Sequence, residues 1–226
     1  ETHIDSRATL ESSLPLRTLI INPMQQGALS KIPLFSVGDY TWNMATFDHM
    51  ESWYASLEAV VGEGRAEVLR SLVPYLRYYD AGSPLDTLID QFKSAYTLDP
   101  SSASADALIQ ELGKISDACD ILAQMGDSAS ESDTLFYADL RPWLLKLKSM
   151  TRHGSLMLRA LTDESSDIDR VTFAKSWSAI EGVDKSDDHR FDILTGMGSD
   201  ITLSVRTAEP AAESLRPFLD WLLEQF

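Results

Sequence analysis

Few of the side chains able to do chemistry stand where chemistry would need them. Asn22 closes a short apolar run, Arg17-Thr18-Leu19-Ile20-Ile21, and Pro23 follows at once as a turn signal. An asparagine amide both donates and accepts hydrogen bonds, which suits a sugar hydroxyl. Its plainer role is that of a turn residue before the proline. Asp39 and Tyr40 follow a second run of the same character, Ile32-Pro33-Leu34-Phe35-Ser36-Val37, which stops at Gly38. The four histidines, His3, His49, His153 and His189, form no ligand pair at helical spacing, so no metal site is expected. Cys119 is the one cysteine and lies on an apolar stripe, where a buried thiol is expected rather than a nucleophile. Asp187 and Asp188 sit in a loop with no apolar shield and suit a solvated acidic surface. The sequence has no phosphate-cradling glycine loop, no GxSxG elbow and no HExxH motif.

The totals narrow the classes further. The chain has 226 residues, 44% hydrophobic and 24% charged, enough apolar material for a real core. Its formal net charge of -16 argues against nucleic acid and against an anionic membrane surface, both of which need clustered Lys and Arg. A neutral ligand is compatible with that charge. No apolar run approaches the roughly 20 residues of a membrane span. The opening Glu1-Thr2-His3-Ile4 lacks the pattern of a signal peptide.

The elements that must position these residues follow from periodicity. The runs Arg17–Ile21 and Ile32–Val37 read as short buried strands of the parallel kind, with a shortened crossover between them. In a parallel β/α barrel, functional side chains project from the C-terminal ends of strands, which is where Asn22 falls. After Asn43 the period becomes helical. Asp48 and Glu51 have capping-box spacing, and Trp53, Leu57 and Val60 line one face. Helices are expected over about 67–79, with a break or kink at Pro74, and over about 85–96. The longest stripes are Leu108, Leu112, Ile115, Cys119, Leu122 and then Phe136, Leu140, Trp143, Leu147, Met150, Gly154, Met157, Leu161. Alternating steps of four and three mark helices packed nearly antiparallel, here as a hairpin across Gly126–Asp133, with Gly126 as C-cap. Gly154 within the stripe predicts a close helix approach. Pro142 predicts a helix start near Asp139 or a kink there. Phe173, Trp177 and Ile180 mark another helix, and 184–200 a loop. Ile201–Val205 alternates as a strand, and Pro210 opens a last helix bearing Leu215, Leu219, Leu222 and Phe226. Trp53, Trp143 and Trp177 belong to the core. Trp42 sits among polar residues at a surface or a domain junction.

One stretch resembles a known family. Asn22-Pro23-Met24, then Ser30-Lys31-Ile32, then Ser36-Val37-Gly38-Asp39-Tyr40-Thr41-Trp42-Asn43 is similar to the end of the barrel in family-84 β-N-acetylglucosaminidases. These include bacterial enzymes often labelled hyaluronidases and the O-GlcNAcases. Asp48 with Trp53, Pro142-Trp143, and Pro217-Phe218-Leu219-Asp220 extend the likeness weakly along the chain. Met44 departs from the proline usual at that point.

The resemblance implies a mainly α fold: a helical bundle, residues 46–226, preceded by the last two β-strands of a (β/α)8 barrel, residues 1–45. It implies hydrolysis of terminal β-linked N-acetylglucosamine from glycans or glycoproteins by a substrate-assisted retaining mechanism, an exception to the two-carboxylate scheme. The two neighbouring aspartates of that mechanism belong to an earlier strand. Residues 1–16 contain no match to them, so no catalytic residue is expected in this chain. The position that carries over is Asn22, as a substrate-binding residue that hydrogen-bonds sugar hydroxyls. No cofactor is implied, and a secreted or cell-surface bacterial setting is favoured. The chain is expected to associate with the remainder of the catalytic domain or with another chain. The rival expectation is a non-catalytic helical scaffold or protein-interaction domain.

Overall fold

The longest apolar stripe of the sequence becomes the spine of the molecule. The computed structural model describes residues 18, 20–76, 83–162, 169–181, 187–196 and 199–226. Among them the helices are α1 (Lys31–Trp42), α2 (His49–Val61), α3 (Glu63–Leu76), α4 (Pro84–Leu98), α5 (Asp106–Ala123), α6 (Glu131–Thr162), α7 (Arg170–Glu181) and α8 (Leu215–Glu224). The strands are β1 (Arg190–Thr195) and β2 (Thr202–Thr207), which pair antiparallel with Leu194 opposite Leu203. The fold is mainly α, a helical bundle with one two-stranded hairpin.

Local sequence explains several helix ends. The Asp48 carboxylate accepts the Met50 and Glu51 N–H groups at 2.8 and 2.9 Å, the expected cap of α2. That helix stops at Gly62, whose φ of 82° suits glycine. Ser83 and Asp86 form a reciprocal capping box at α4, with Pro84 in the first turn, where its missing N–H costs nothing. Asp169 accepts the Thr172 N–H at 2.8 Å at the start of α7.

The stripes on α5 and α6 are buried as expected, from Leu108 to Leu122 and from Phe136 to Met157. They form the most extensive helix pairing, and α7 and α8 also pack against α6. Burying each such leucine stabilises by about 2 kcal/mol. A Cβ added to Gly154 would lie 3.0 Å from Leu219 and 3.3 Å from Leu112, so the predicted close approach is real. Gly126 is not a left-handed cap. It lies in a 3-10 turn, and an added Cβ would meet the Tyr137 ring at 2.6 Å. Pro142 neither starts nor ends its helix. The element begins eleven residues earlier, after Ser130, and runs 32 residues, because packing along its length outweighs one lost hydrogen bond. Pro74 likewise lies inside α3; residues 77–79, at the end of the expected span, fall outside the described residues. Pro210 precedes α8 by a turn in which Ala211, at φ 48°, donates to the Tyr75 carbonyl at 2.7 Å.

The strand expected over Ile32–Val37 is absent. Those residues lie in α1. Of the first expected strand, Arg17 and Leu19 fall outside the described residues, while Thr18, Ile20 and Ile21 lie in no strand or helix. A short apolar run looks alike in a buried strand and in a helix that is apolar all round. Gly38-Asp39 has the look of a stop, yet the helix continues through it to Trp42. The segment does pack against the helices: Leu29, Ile32 and Tyr40 are buried. Conversely β1 arises inside the span read as loop.

Trp53, Trp143, Trp177 and Cys119 are core residues as expected. Burial pushes the Cys119 thiol up to about 12, so it carries no thiolate at neutral pH. The weakly matching motifs also have structural work. Trp143 lies 4.5 Å from the Phe191 ring of β1, and the Trp177 indole donates to Asp220 at 2.7 Å, tying α7 to α8. Lys146 is buried beside Glu181, which also pairs with Arg216 at 2.6 Å, joining α6, α7 and α8.

His153 gives the bundle a pH dependence. It is buried in α6, bonded through Nδ1 to Ser176 and stacked on Trp177. Burial pushes its pKa down to about 4. Between that value and the unfolded value of about 6.5, only the unfolded chain binds the proton, so stability falls as pH drops through this window. Urea unfolding at about pH 7 and about pH 4.5 should show a loss larger by roughly 2 kcal/mol in the natural chain than in His153→Phe. Equal losses would show that His153 is not held neutral.

Candidate functional site

Asn22 lies in an irregular stretch, residues 22–26, that bends at Gln25 and leads through a turn at 27–30 into α1. Its side chain is exposed, whereas the residues around it are progressively anchored: Met24 packs on the core, and Ala28, Leu29 and Ser30 are buried. Burying backbone at a helix entrance leaves N–H groups that need acceptors. Ser30, at the cap position, makes no side-chain cap bond. The acceptor comes instead from α6: the Asp139 carboxylate takes the Ala28 N–H at 2.7 Å and the Leu29 N–H at 3.3 Å. The charge also complements the positive end of the α1 dipole.

The Ser30 hydroxyl is turned the other way. It lies 3.1 Å from the Met24 carbonyl and 2.8 Å from the Gln26 carbonyl, folding the turn back on itself. Gln25 reaches β1: its Nε2 donates to the Leu194 carbonyl at 2.7 Å, and the Leu194 N–H donates to its Oε1 at 2.7 Å. A polar cleft of about 270 Å³ opens alongside, walled by Gln25, Gln26, Asp139, Arg141, Arg190 and Asp192. Asn22 is not among its lining residues.

The remaining candidates do not converge on this turn. Asp188 is paired with Arg141 at the surface. Asp39 is exposed on α1 and Tyr40 is buried. Among the described residues no group of three or more His, Cys, Asp or Glu side chains is placed to hold a metal ion. Sequence reasoning missed Gln25 and Asp139. Asp139 is 111 residues from Ala28, and Gln25 is 169 from Leu194, so no local pattern links them.

The architecture is that of a mainly helical unit with a β-hairpin, carrying the Asn-Pro-Met segment ahead of its first helix. Residues 5–74 match the family model NAGidase, beta-N-acetylglucosaminidase. The fold is similar to CpGH84D, with a TM-score of 0.64 at 18% identity over 96% of this chain and 36% of that one. An O-GlcNAc hydrolase mutant of Thermobaculum terrenum gives 0.60 at 15% identity over 90% of this chain and 40% of that one. CpGH84B gives 0.60 at 16% identity over 90% and 33%. The chain thus resembles the family-84 β-N-acetylglucosaminidases in sequence over residues 5–74 and in fold over most of its length. It spans 33% to 40% of the length of these solved structures.

Removing the Asp139 carboxylate should unseat the α1 entrance. Asp139→Ala should lower unfolding free energy by about 1–2 kcal/mol, the usual cost of losing such a cap, and Asp139→Asn by less. Urea denaturation measures both. Unchanged midpoints would mean that the two N–H groups find other partners.

Proposed function

We propose that residues 1–45 form the closing part of the catalytic barrel of a β-N-acetylglucosaminidase and residues 46–226 its helical domain. The whole enzyme would hydrolyse terminal β-linked N-acetylglucosamine from glycans or glycoproteins. The carrying observation is the ordered set Asn22-Pro23-Met24, Ser30-Lys31-Ile32 and Asp39-Tyr40-Thr41-Trp42-Asn43, lying within the 5–74 family match. The shape of α1 supports the reading. Ile32 and Tyr40 face the bundle, while Phe35 is 39% exposed and Trp42 92% exposed on other sides. A helix apolar all round suits an element with packing partners on more than one face. Here the second partner would be the rest of the barrel.

In this reading the sugar's own 2-acetamido group attacks the anomeric carbon. Two aspartates outside this chain assist, one orienting the acetamido group, the other serving as general acid and base. Asn22 holds sugar hydroxyls through its amide, a contact worth on the order of 1 kcal/mol that positions the ring without cleaving a bond. No metal or cofactor enters the scheme.

A second reading, a scaffold or protein-interaction role for the helical domain, is favoured by the outer face of the hairpin. Leu194, Leu203 and Val205 are each more than half exposed there, in register across the pair. Light scattering on this chain tests the second reading: an assembly that is lost on Leu203→Asp favours it, and a monomer counts against it.

The direct test uses an aryl N-acetyl-β-glucosaminide. In the longer enzyme that carries this chain, Asn22→Ala should raise KM about fivefold. This chain by itself should show no turnover. Robust turnover by the chain alone would overturn the proposal.

A further inference from the structure

The turn that carries Asn22 is held by a residue far along the chain. Two hydrogen bonds join the Gln25 amide to the single residue Leu194, one in each direction, both 2.7 Å. This is the exchange that two residues of neighbouring antiparallel strands make through their backbones. Leu194 lies in β1, whose other side is occupied by β2. The Gln25 amide therefore stands in for one residue of a third strand on the free edge of β1.

A side chain bound at one atom can still swivel. One bound through both donor and acceptor is fixed in position and in roll. The anchor point is itself supported, because Phe191 of β1 rests against the buried Trp143 of α6. On the other side of the turn, Ser30 and Asp139 fix the backbone from Met24 to Leu29. Gln25, three residues from Asn22, adds to those bonds a tie between the same stretch and the hairpin.

We propose that Gln25 is a positioning residue for sugar binding: by bracing its turn against β1 it holds the Asn22 amide where a sugar hydroxyl arrives. The helical domain, through its hairpin, then takes part in substrate recognition. This rests on the reading of Asn22 given above.

The test is a double-mutant cycle in the longer enzyme that carries this chain, with an aryl N-acetyl-β-glucosaminide as substrate. Gln25→Ala should raise KM two- to fivefold, with kcat changed less than twofold and the melting temperature essentially unchanged. Gln25→Glu should behave alike, since it loses the donor and sets a charge against the Leu194 carbonyl. In an Asn22→Ala background Gln25→Ala should add almost nothing, because there is no amide left to position. Multiplying effects, or a silent Gln25→Ala beside a damaging Asn22→Ala, would overturn this proposal alone. A silent Asn22→Ala would overturn it together with the sugar-binding role of Asn22.

Discussion

Two backbone N–H groups, those of Ala28 and Leu29, are carried into the interior with no helical acceptor behind them, and the Asp139 carboxylate of α6 answers both. That constraint fixes how the N-terminal segment meets the bundle. Once α1 starts there, Leu29 and Ile32 fall against the helices, and the Asn-Pro-Met turn is left at the surface. One turn further along α6, Trp143 supports Phe191 and so the hairpin. The same stretch of one helix thus seats both walls between which the Asn22 turn is held.

The helical core was legible because its signal is redundant. A stripe of eight apolar positions on α6 survives any single exception, including the proline at 142. The cap at Asp48 is local chemistry and can be seen within four residues, whereas the capping box at Ser83 went unread. The hairpin was half legible: Ile201–Val205 alternates without interruption, whereas β1 follows a stretch rich in Asp and hides beside it. The misreading of Ile32–Val37 has a definite cause. Branched and aromatic residues favour strands, and neither periodicity nor propensity can reveal that an acceptor 111 residues away caps a helix at that point.

The candidate site divides in the same way. Asn22 emerged from a motif, and only its place at the end of an apolar run had a physical basis independent of that motif. The structure keeps it exposed, in a turn rather than at the end of a strand. The residues that restrain the turn act across 111 and 169 positions and are chemically ordinary, a glutamine and an aspartate. Motif residues elsewhere, Trp143 and Asp220, prove to be packing and bonding partners between elements.

In the proposed reading the catalytic carboxylates lie outside the chain, and the bundle would contribute rigidity to one amide. The most direct measurement is a crystal structure of the longer enzyme with N-acetylglucosamine bound. The account predicts the Asn22 amide within hydrogen-bond distance of a ring hydroxyl, with α1 lying against the barrel. A bound sugar remote from Asn22, or α1 open to solvent along its Phe35 and Trp42 side, would contradict it.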